Sequence, residues 1–406
     1  MSQEDLPDPR LLSLEALTYD LPAERIAQYP LEDRASSKLL VYREGRIQDR
    51  LFRDLPDQLP GNSLLVLNDT RVVHARIHFR RVTGALIECM VLTPGGDRPI
   101  ELALNDKGSS RWWCMLGNAK RWKGEELAVE KDGHRLFMAK VEERAGEFLL
   151  EFRWEGQGSF LEQMDLFGAM PLPPYMKRAA EEADDVRYNT VFAERPGSVA
   201  APTASLHFTA GILEALRAKG VQSTQVTLHV GAGTFLPVKS STMGGHDMHR
   251  EQVRIPRGSV QRLLAQAGQG PIIPVGTTAM RTIESLYWHG AALVQGQADG
   301  QLAVGQWQPY MPQPEVPVRE ALQAVLEQME REGTDVVTGA TRLLIAPGYR
   351  FRLSTGLITN FHQPHSTLLL LVAALIGPDW HKVYDHALAH GYRFLSFGDG
   401  SLLWAP

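Results

Sequence analysis

Apolar positions in this chain fall into two textures, and each predicts a different kind of structure. Leu39 to Tyr42 and Leu64 to Leu67 are unbroken runs of four apolar residues, which predict strands covered on both faces. Val226-Thr227-Leu228-His229-Val230 alternates like a strand, and Ile272-Ile273-Pro274-Val275, Arg342 to Ile345 and Gly356 to Thr359 predict further buried strands. Between them Ile212, Leu213 and Leu216 share a helical face that Thr209 opens and Gly220 closes. Helices are also expected from Thr277 through Arg281 and Glu284 to Leu286, over 318–331, and over 368–376 behind Ser366. The remaining polar stretch at 295–317 predicts a loop, and 392–399 predicts a closing strand with a polar tip.

The second texture occupies 72–154. Short alternating runs there are broken at Thr83-Gly84, Gly95-Gly96, Asp132-Gly133 and Ala145-Gly146, a spacing that predicts antiparallel hairpins. Residues 155–174, ending in Pro171-Leu172-Pro173-Pro174, predict a linker back to the first texture. The expected fold is therefore an α/β main domain with a mixed sheet and flanking helices, plus a smaller inserted antiparallel β-barrel domain. Its boundaries are expected at 1–71 and 156–406 for the main domain and 72–155 for the insertion.

Composition narrows the function classes. A chain of 406 residues with 44% hydrophobic and 22% charged residues is an ordinary globular protein, and its net charge of −5 shows no global affinity for nucleic acid. Any RNA contact then requires a local basic surface. The two cysteines, Cys89 and Cys114, form no paired metal motif and suggest reduced thiols in a cytoplasmic protein. No apolar run is long enough to cross a bilayer, and the acidic first ten residues do not resemble a signal peptide. The dinucleotide fingerprint, the phosphate-binding P-loop and the cysteine-histidine zinc pattern are all missing, which argues against a nicotinamide enzyme, an ATPase and a zinc hydrolase.

Candidate chemistry concentrates in 188–251. Gly197, Ser198, Ala200, Ala201 and Ala204 let backbone approach a ligand, while Thr203, Ser205 and His207 add polar tips. His229 ends a strand before Gly231-Ala232-Gly233-Thr234, and His246, His249 and Glu251 follow. Asn68-Asp69-Thr70-Arg71, Gly276-Thr277-Thr278 and Asn360-Phe361-His362 also stand at strand exits, where open α/β sheets bind ligands. Each has an ordinary alternative: Asp69 and Arg71 as turn and salt bridge, Thr277 as a cap, Asp399 as a turn residue, and Arg281 with Glu284 as an intrahelical pair. In the hairpin region Lys120, Arg121 and Lys123 interleave with Trp112, Trp113 and Trp122, a mixture suited to RNA or equally to a sheet core under solvated cations.

Taken together, the blocks at 188–209, 226–238 and 248–251 resemble the signatures of the S-adenosylmethionine:tRNA ribosyltransferase-isomerase family of queuosine biosynthesis. Further blocks agree in order at 21–28, 67–72, 171–175, 275–278, 281–285, 347–349, 358–362 and 392–399. Departures occur at Asn189, Phe192, Ser205 and 342–346, in the residues before Tyr19, and in the Trp112 to Lys123 segment. They leave open an S-adenosylmethionine-binding paralogue with another acceptor. A methyltransferase and a non-catalytic RNA-binding protein are the rival classes.

The resemblance implies that the ribosyl part of S-adenosylmethionine is transferred to, and isomerised on, a 7-aminomethyl-7-deazaguanine in tRNA. The product would be epoxyqueuosine-tRNA, with adenine and methionine released. It implies tRNA and S-adenosylmethionine as partners, a monomer, no membrane, no metal, and no cofactor beyond S-adenosylmethionine as substrate. Residue chemistry then nominates His207, His229, His249 and Glu251 for proton transfer. Asp69, Thr203, Thr234, Thr277, Asn360, His362 and Asp399 are the candidates for the ribose and methionine sites, Arg71 or Arg281 for the carboxylate, and Lys120, Arg121 and Lys123 for RNA.

Overall fold

Ten strands of the first texture lie almost edge to edge. The computed structural model of the chain describes residues 8–96, 98–144, 146–231, 240 and 242–406. One sheet places its strands in the order Ile272–Pro274, Leu64–Asn68, Gln222–Leu228, Glu251–Pro256, Val336–Thr341, Leu302–Val304. A second runs Gly356–Asn360, Gly400–Trp404, Lys38–Arg43, Arg46–Leu51. A parallel bridge between Val275 and Ile358 joins them, and the Gly276 amide donates to the Ile358 carbonyl at 2.7 Å. Leu64–Asn68 is parallel to Gln222–Leu228 and to Ile272–Pro274. With the bridge, four strands therefore end on one edge, at Asn68, Leu228, Pro274 and Asn360.

The helix Thr277–Val294 lies in the core. Apart from its last two residues every residue is buried, because it packs against both the sheet and the helix Val318–Glu332. Thr209 caps Ala210–Ala218 by accepting from the Ile212 amide, and Ser366 caps Thr367–Ile376 through the Leu369 amide, as the sequence predicts. No helix among the described residues is long and apolar enough to cross a membrane.

The hairpin region forms a seven-stranded sheet whose pairings are all antiparallel, built from Arg76–Arg80, Leu86–Pro94, Ser109–Gly117, Leu127–Lys131, His134–Arg144, Glu147–Trp154 and Gly168–Ala169. Its core contains Trp112 and Trp154 around Phe160, whose ring stacks on Trp112 at 5.3 Å, and Trp122 against Phe148. Trp112 and Trp122 therefore fill the sheet, whereas Trp113 lies outside this core.

Three sequence expectations are corrected. Residues 160–169, expected as linker, form the helix Phe160–Phe167 and an edge strand on Arg76–Arg80; a Ser159/Glu162 capping box starts the helix, and its apolar face closes the hairpin core. The strand expected at 342–345 lies earlier, at Val336–Thr341; past it the backbone-to-backbone contacts are single amide bonds, from Arg342 to Val304 and from Leu344 to Gln306. The closing strand is Gly400–Trp404, not 392–399. In the latter segment Leu395 has a positive φ of 68°, and the Asp399 carboxylate accepts from the Arg393 and Lys38 amides, which holds the chain in a turn.

Candidate active site

Asn68 fastens the shared edge. Its amide donates to the Leu228 carbonyl (3.1 Å) and the Thr278 hydroxyl (3.2 Å). Its oxygen accepts from the amides of Leu228 (3.1 Å) and Thr70 (3.2 Å). All its hydrogen-bonding capacity is used, so one side chain sets two strand exits and the start of the long helix relative to each other. Asp69 beside it is also structural: its carboxylate accepts from Thr227 at 2.7 Å and its carbonyl from the Glu194 and Arg195 amides. Burial raises its pKa.

Two cavities open along this edge. The first is lined by Ala200, Ala201 and Thr203, by Gly276, Thr277 and Thr278, by Thr359, Asn360 and His362, and by Tyr175 and Ser396. Gly276 has φ of 90°, which only glycine adopts readily, and it swings the chain directly from strand into helix. No side chain caps that helix, and its first residues, Thr277 and Thr278, line the cavity. His362 is held by the Thr359 hydroxyl at 2.8 Å, and burial lowers its pKa to about 3. Asn360 donates to the Leu395 carbonyl and stands 3.4 Å from His207, while its side-chain oxygen is buried without a protein partner.

The second cavity is a groove between the two textures of the fold. The antiparallel sheet contributes Trp113, Met115, Glu142 and Arg144; the mixed sheet contributes His229, His249, Glu251 and Gln252, with Gly197 beside them. The Arg144 guanidinium lies 3.6 Å from the Trp113 ring centroid. Val230 lines both cavities, so they share a wall.

His229 is the most constrained group in the groove. Its Nδ1 meets the Thr70 hydroxyl at 2.9 Å, and burial, aided by Arg254, lowers its pKa to about 4. Gly197 packs on the ring with φ of 143°; a Cβ there would lie 2.9 Å from two ring atoms and 2.6 Å from Ile100. Ser198 holds the next residue by accepting from the Val230 amide at 2.7 Å. His249 is exposed on the same groove.

The structure thus separates the nominated residues. Thr203, Thr277, Asn360 and His362 meet in the first cavity, and His229, His249 and Glu251 in the second. His207 lines neither: it sits behind Asn360, against the Phe52 ring at 4.9 Å, and burial together with Arg393 and Arg34 lowers its pKa to about 3. Arg281 bonds Glu251 and the Leu343 carbonyl rather than Glu284, so the expected intrahelical pair does not form. Glu284 instead accepts from Tyr349 and from the 352–354 backbone. Asp399 is committed to backbone amides, and Arg71 and Asp69 line neither cavity. Thr234 lies outside the described residues. Lys120, Arg121 and Lys123 are exposed at and beside the single turn Ala119–Arg121.

Sequence reasoning named the segments holding Asn68, Thr70 and Thr278 without nominating those residues, weighed Trp113 only as one of three interleaved tryptophans, and missed Tyr175, Ser396 and Arg144. Asn68 carried a signal, being a polar residue that ends an apolar run beside the nominated Asp69. Trp113 is nominated with its neighbours, but Trp112 and Trp113 are adjacent and alternation does not say which one faces the groove.

Comparisons with known proteins identify the family. The chain matches the family described as "Queuosine biosynthesis protein" over residues 14–403. It is 39% identical over 399 residues to the S-adenosylmethionine:tRNA ribosyltransferase-isomerase of Azoarcus sp., covering 97% of each chain. To the protein of that name from Ruegeria pomeroyi it is 40% identical, covering 97% of this chain and 99% of the relative. A solved structure, S-adenosylmethionine tRNA ribosyltransferase from Thermotoga maritima, aligns with a TM-score of 0.45 and 28% identity over 95% of this chain and 99% of that one. On the full-length match and these identities, the chain belongs to the S-adenosylmethionine:tRNA ribosyltransferase-isomerase family of queuosine biosynthesis.

Proposed function

We propose that the protein transfers the ribosyl moiety of S-adenosylmethionine to 7-aminomethyl-7-deazaguanine in tRNA and isomerises it, giving epoxyqueuosine-tRNA, adenine and methionine. The observation that carries this reading is the pair of cavities divided by Val230. A two-substrate transfer from a small nucleoside to an RNA base needs two adjoining sites, and these cavities share the Val230 wall.

S-adenosylmethionine is assigned to the first cavity, whose small and hydroxyl-bearing lining suits one small ligand. Its carboxylate would meet the amides of Thr277 and Thr278, and its hydroxyls Thr203, Asn360 and His362. The acceptor base would enter the groove, where Trp113 under Arg144 offers a stacking surface. The sulfonium acidifies the 5′ carbon, so a base must take that proton as adenine leaves. Burial disfavours an imidazolium at His229, which stays neutral and acts by hydrogen bonding; His249, on the exposed side of the groove, takes the proton. In this reading the hairpin sheet, expected at 72–155, is an inserted domain whose task is to form the far wall of the groove.

The test is one incubation of protein, S-adenosylmethionine and tRNA carrying the aminomethyl base. Free adenine and methionine should appear together with a heavier nucleoside in the tRNA digest. S-adenosylhomocysteine would instead mark a methyltransferase, and intact S-adenosylmethionine a binding protein.

A further inference from the structure

Outside both cavities, His386, His390 and Asp49 each bring one ligating atom within 4.8 Å of the others. His386 lies in the last turn of the helix Trp380–Ala389 and His390 is its C-terminal cap, so the i, i+4 spacing puts both imidazoles on one face. Their rings stack at 3.8 Å. Asp49 comes from the strand Arg46–Leu51, the outermost strand of its sheet. His386 Nε2 stands 3.0 and 3.1 Å from the two Asp49 oxygens, and the Tyr392 hydroxyl donates to one of them at 2.5 Å.

We propose that His386, His390 and Asp49 form a binding site for a divalent transition metal, best suited to Zn²⁺. Two imidazoles and one carboxylate are a zinc donor set with a position left for water. The supporting contacts have the form such sites need. The His390 Nδ1 lies 2.8 Å from the His386 carbonyl, which only accepts, so Nδ1 carries the hydrogen and Nε2 keeps its lone pair for a metal. Tyr392 steadies the carboxylate. The carbonyl end of the helix is its negative pole and favours a cation there. Lys38 already exploits it, donating to the His390 carbonyl at 2.7 Å; with only one carboxylate in the set and this ammonium nearby, affinity should be micromolar rather than structural. Bound metal would clasp the outer strand to the helix.

The experiment titrates Zn²⁺ into the untagged, full-length protein by calorimetry and follows the thermal midpoint in parallel. One equivalent should bind with micromolar affinity and raise the midpoint. His390→Ala, which removes a donor that makes no side-chain hydrogen bond other than to a carbonyl, should weaken binding by about tenfold or more. Asp49→Asn should do the same, and His381→Ala, on the same helix but outside the cluster, should not. Release of adenine from S-adenosylmethionine should be unchanged in His390→Ala, which separates this site from the proposed activity. Absence of binding at millimolar Zn²⁺, or binding that survives both His390→Ala and Asp49→Asn, would overturn the proposal.

Discussion

Arg281 reaches from the buried helix Thr277–Val294 to Glu251 at 2.5 Å, an ion pair in which both side chains are under a tenth exposed. Glu251 opens the strand Glu251–Pro256 and lines the groove, so the pair ties the groove wall to the helix whose first turn faces the other cavity. Removing one partner strands the other as a buried charge. Glu251→Gln should therefore lower stability by about 3–5 kcal/mol, and a Glu251→Gln/Arg281→Met double variant should recover much of that loss. Urea denaturation of the four proteins in the cycle measures it. Loss of turnover in the double variant beyond its loss of folded fraction would show that Glu251 acts on substrate as well.

Glu284 is fully buried and accepts five hydrogen bonds, from the Tyr349 hydroxyl, the amides of Arg352, Leu353 and Ser354, and the Ser354 hydroxyl. Every partner is a donor, so an amide in its place would turn donors against donors. Glu284→Gln should destabilise by about 3 kcal/mol. Because the 352–354 turn leads into Gly356–Asn360, whose end lines the first cavity, S-adenosylmethionine should also bind more weakly. Amide exchange at Leu353 and Ser354 should accelerate in the variant; unchanged exchange would show that Glu284 does not hold the turn.

The groove histidine depends on a residue with no side chain. Gly197→Ala places a methyl against His229 and Ile100 at a φ that alanine rarely adopts. Turnover should fall on the order of 10²-fold, the penalty for displacing a reacting group by about an ångström. The dissociation constant for S-adenosylmethionine, which is assigned to the other cavity, should change little. Equal losses in binding and turnover would mean that the two cavities are one site.

What the sequence disclosed follows from how local each signal is. Buried strands at Leu39–Tyr42 and Leu64–Leu67, the caps at Thr209 and Ser366, and the polar strand exits at Thr277, Asn360 and His362 are each written in a few consecutive residues. The partners of Arg281 and Glu284 were not, since both carboxylate contacts bridge segments tens of residues apart and an i, i+3 pair looked sufficient. The same limit hid Trp113. Which face of a hairpin meets another sheet is decided by packing between domains, and a pair of adjacent tryptophans satisfies either choice. Residues 160–169 looked like a linker because Gly156, Gly158 and the prolines after 170 bracket a helix too short to show much periodicity.

Lys120, Arg121 and Lys123 are exposed while their neighbouring tryptophans are buried, so any RNA contact there is to phosphate and not to a stacked base. Reversing all three to Glu should weaken tRNA binding and reduce the slope of log affinity against log salt by up to about three, near 0.9 for each phosphate released. Arg144→Ala, which strips the cation from Trp113, should reduce affinity with a smaller change in slope. Filter binding over a salt series distinguishes the two surfaces, and an unaltered slope in the triple variant would remove the 120–123 turn from the interface.

Three buried histidines make the fold acid-sensitive. His207 and His362 have pKa values lowered to about 3 and His229 to about 4, in each case chiefly by burial. In the unfolded chain all three return to about 6.5. Between the folded and unfolded values the unfolded chain binds the extra protons, so stability rises with pH there. The contribution is complete above about pH 6.5 and is lost as pH falls toward 4, each histidine adding up to about 1.4 kcal/mol per pH unit. The urea midpoint should accordingly drop from pH 7 to pH 5, and drop less in His207→Gln and His362→Gln, whatever their stability at pH 7. Carboxylates whose pKa is lowered, such as Asp184 beside Arg178, also release stability in acid, but they are untouched by these substitutions. A pH slope identical in both variants and the parent would assign the whole acid response to those carboxylates and would require that both imidazoles be protonated as readily in the folded chain as in the unfolded one.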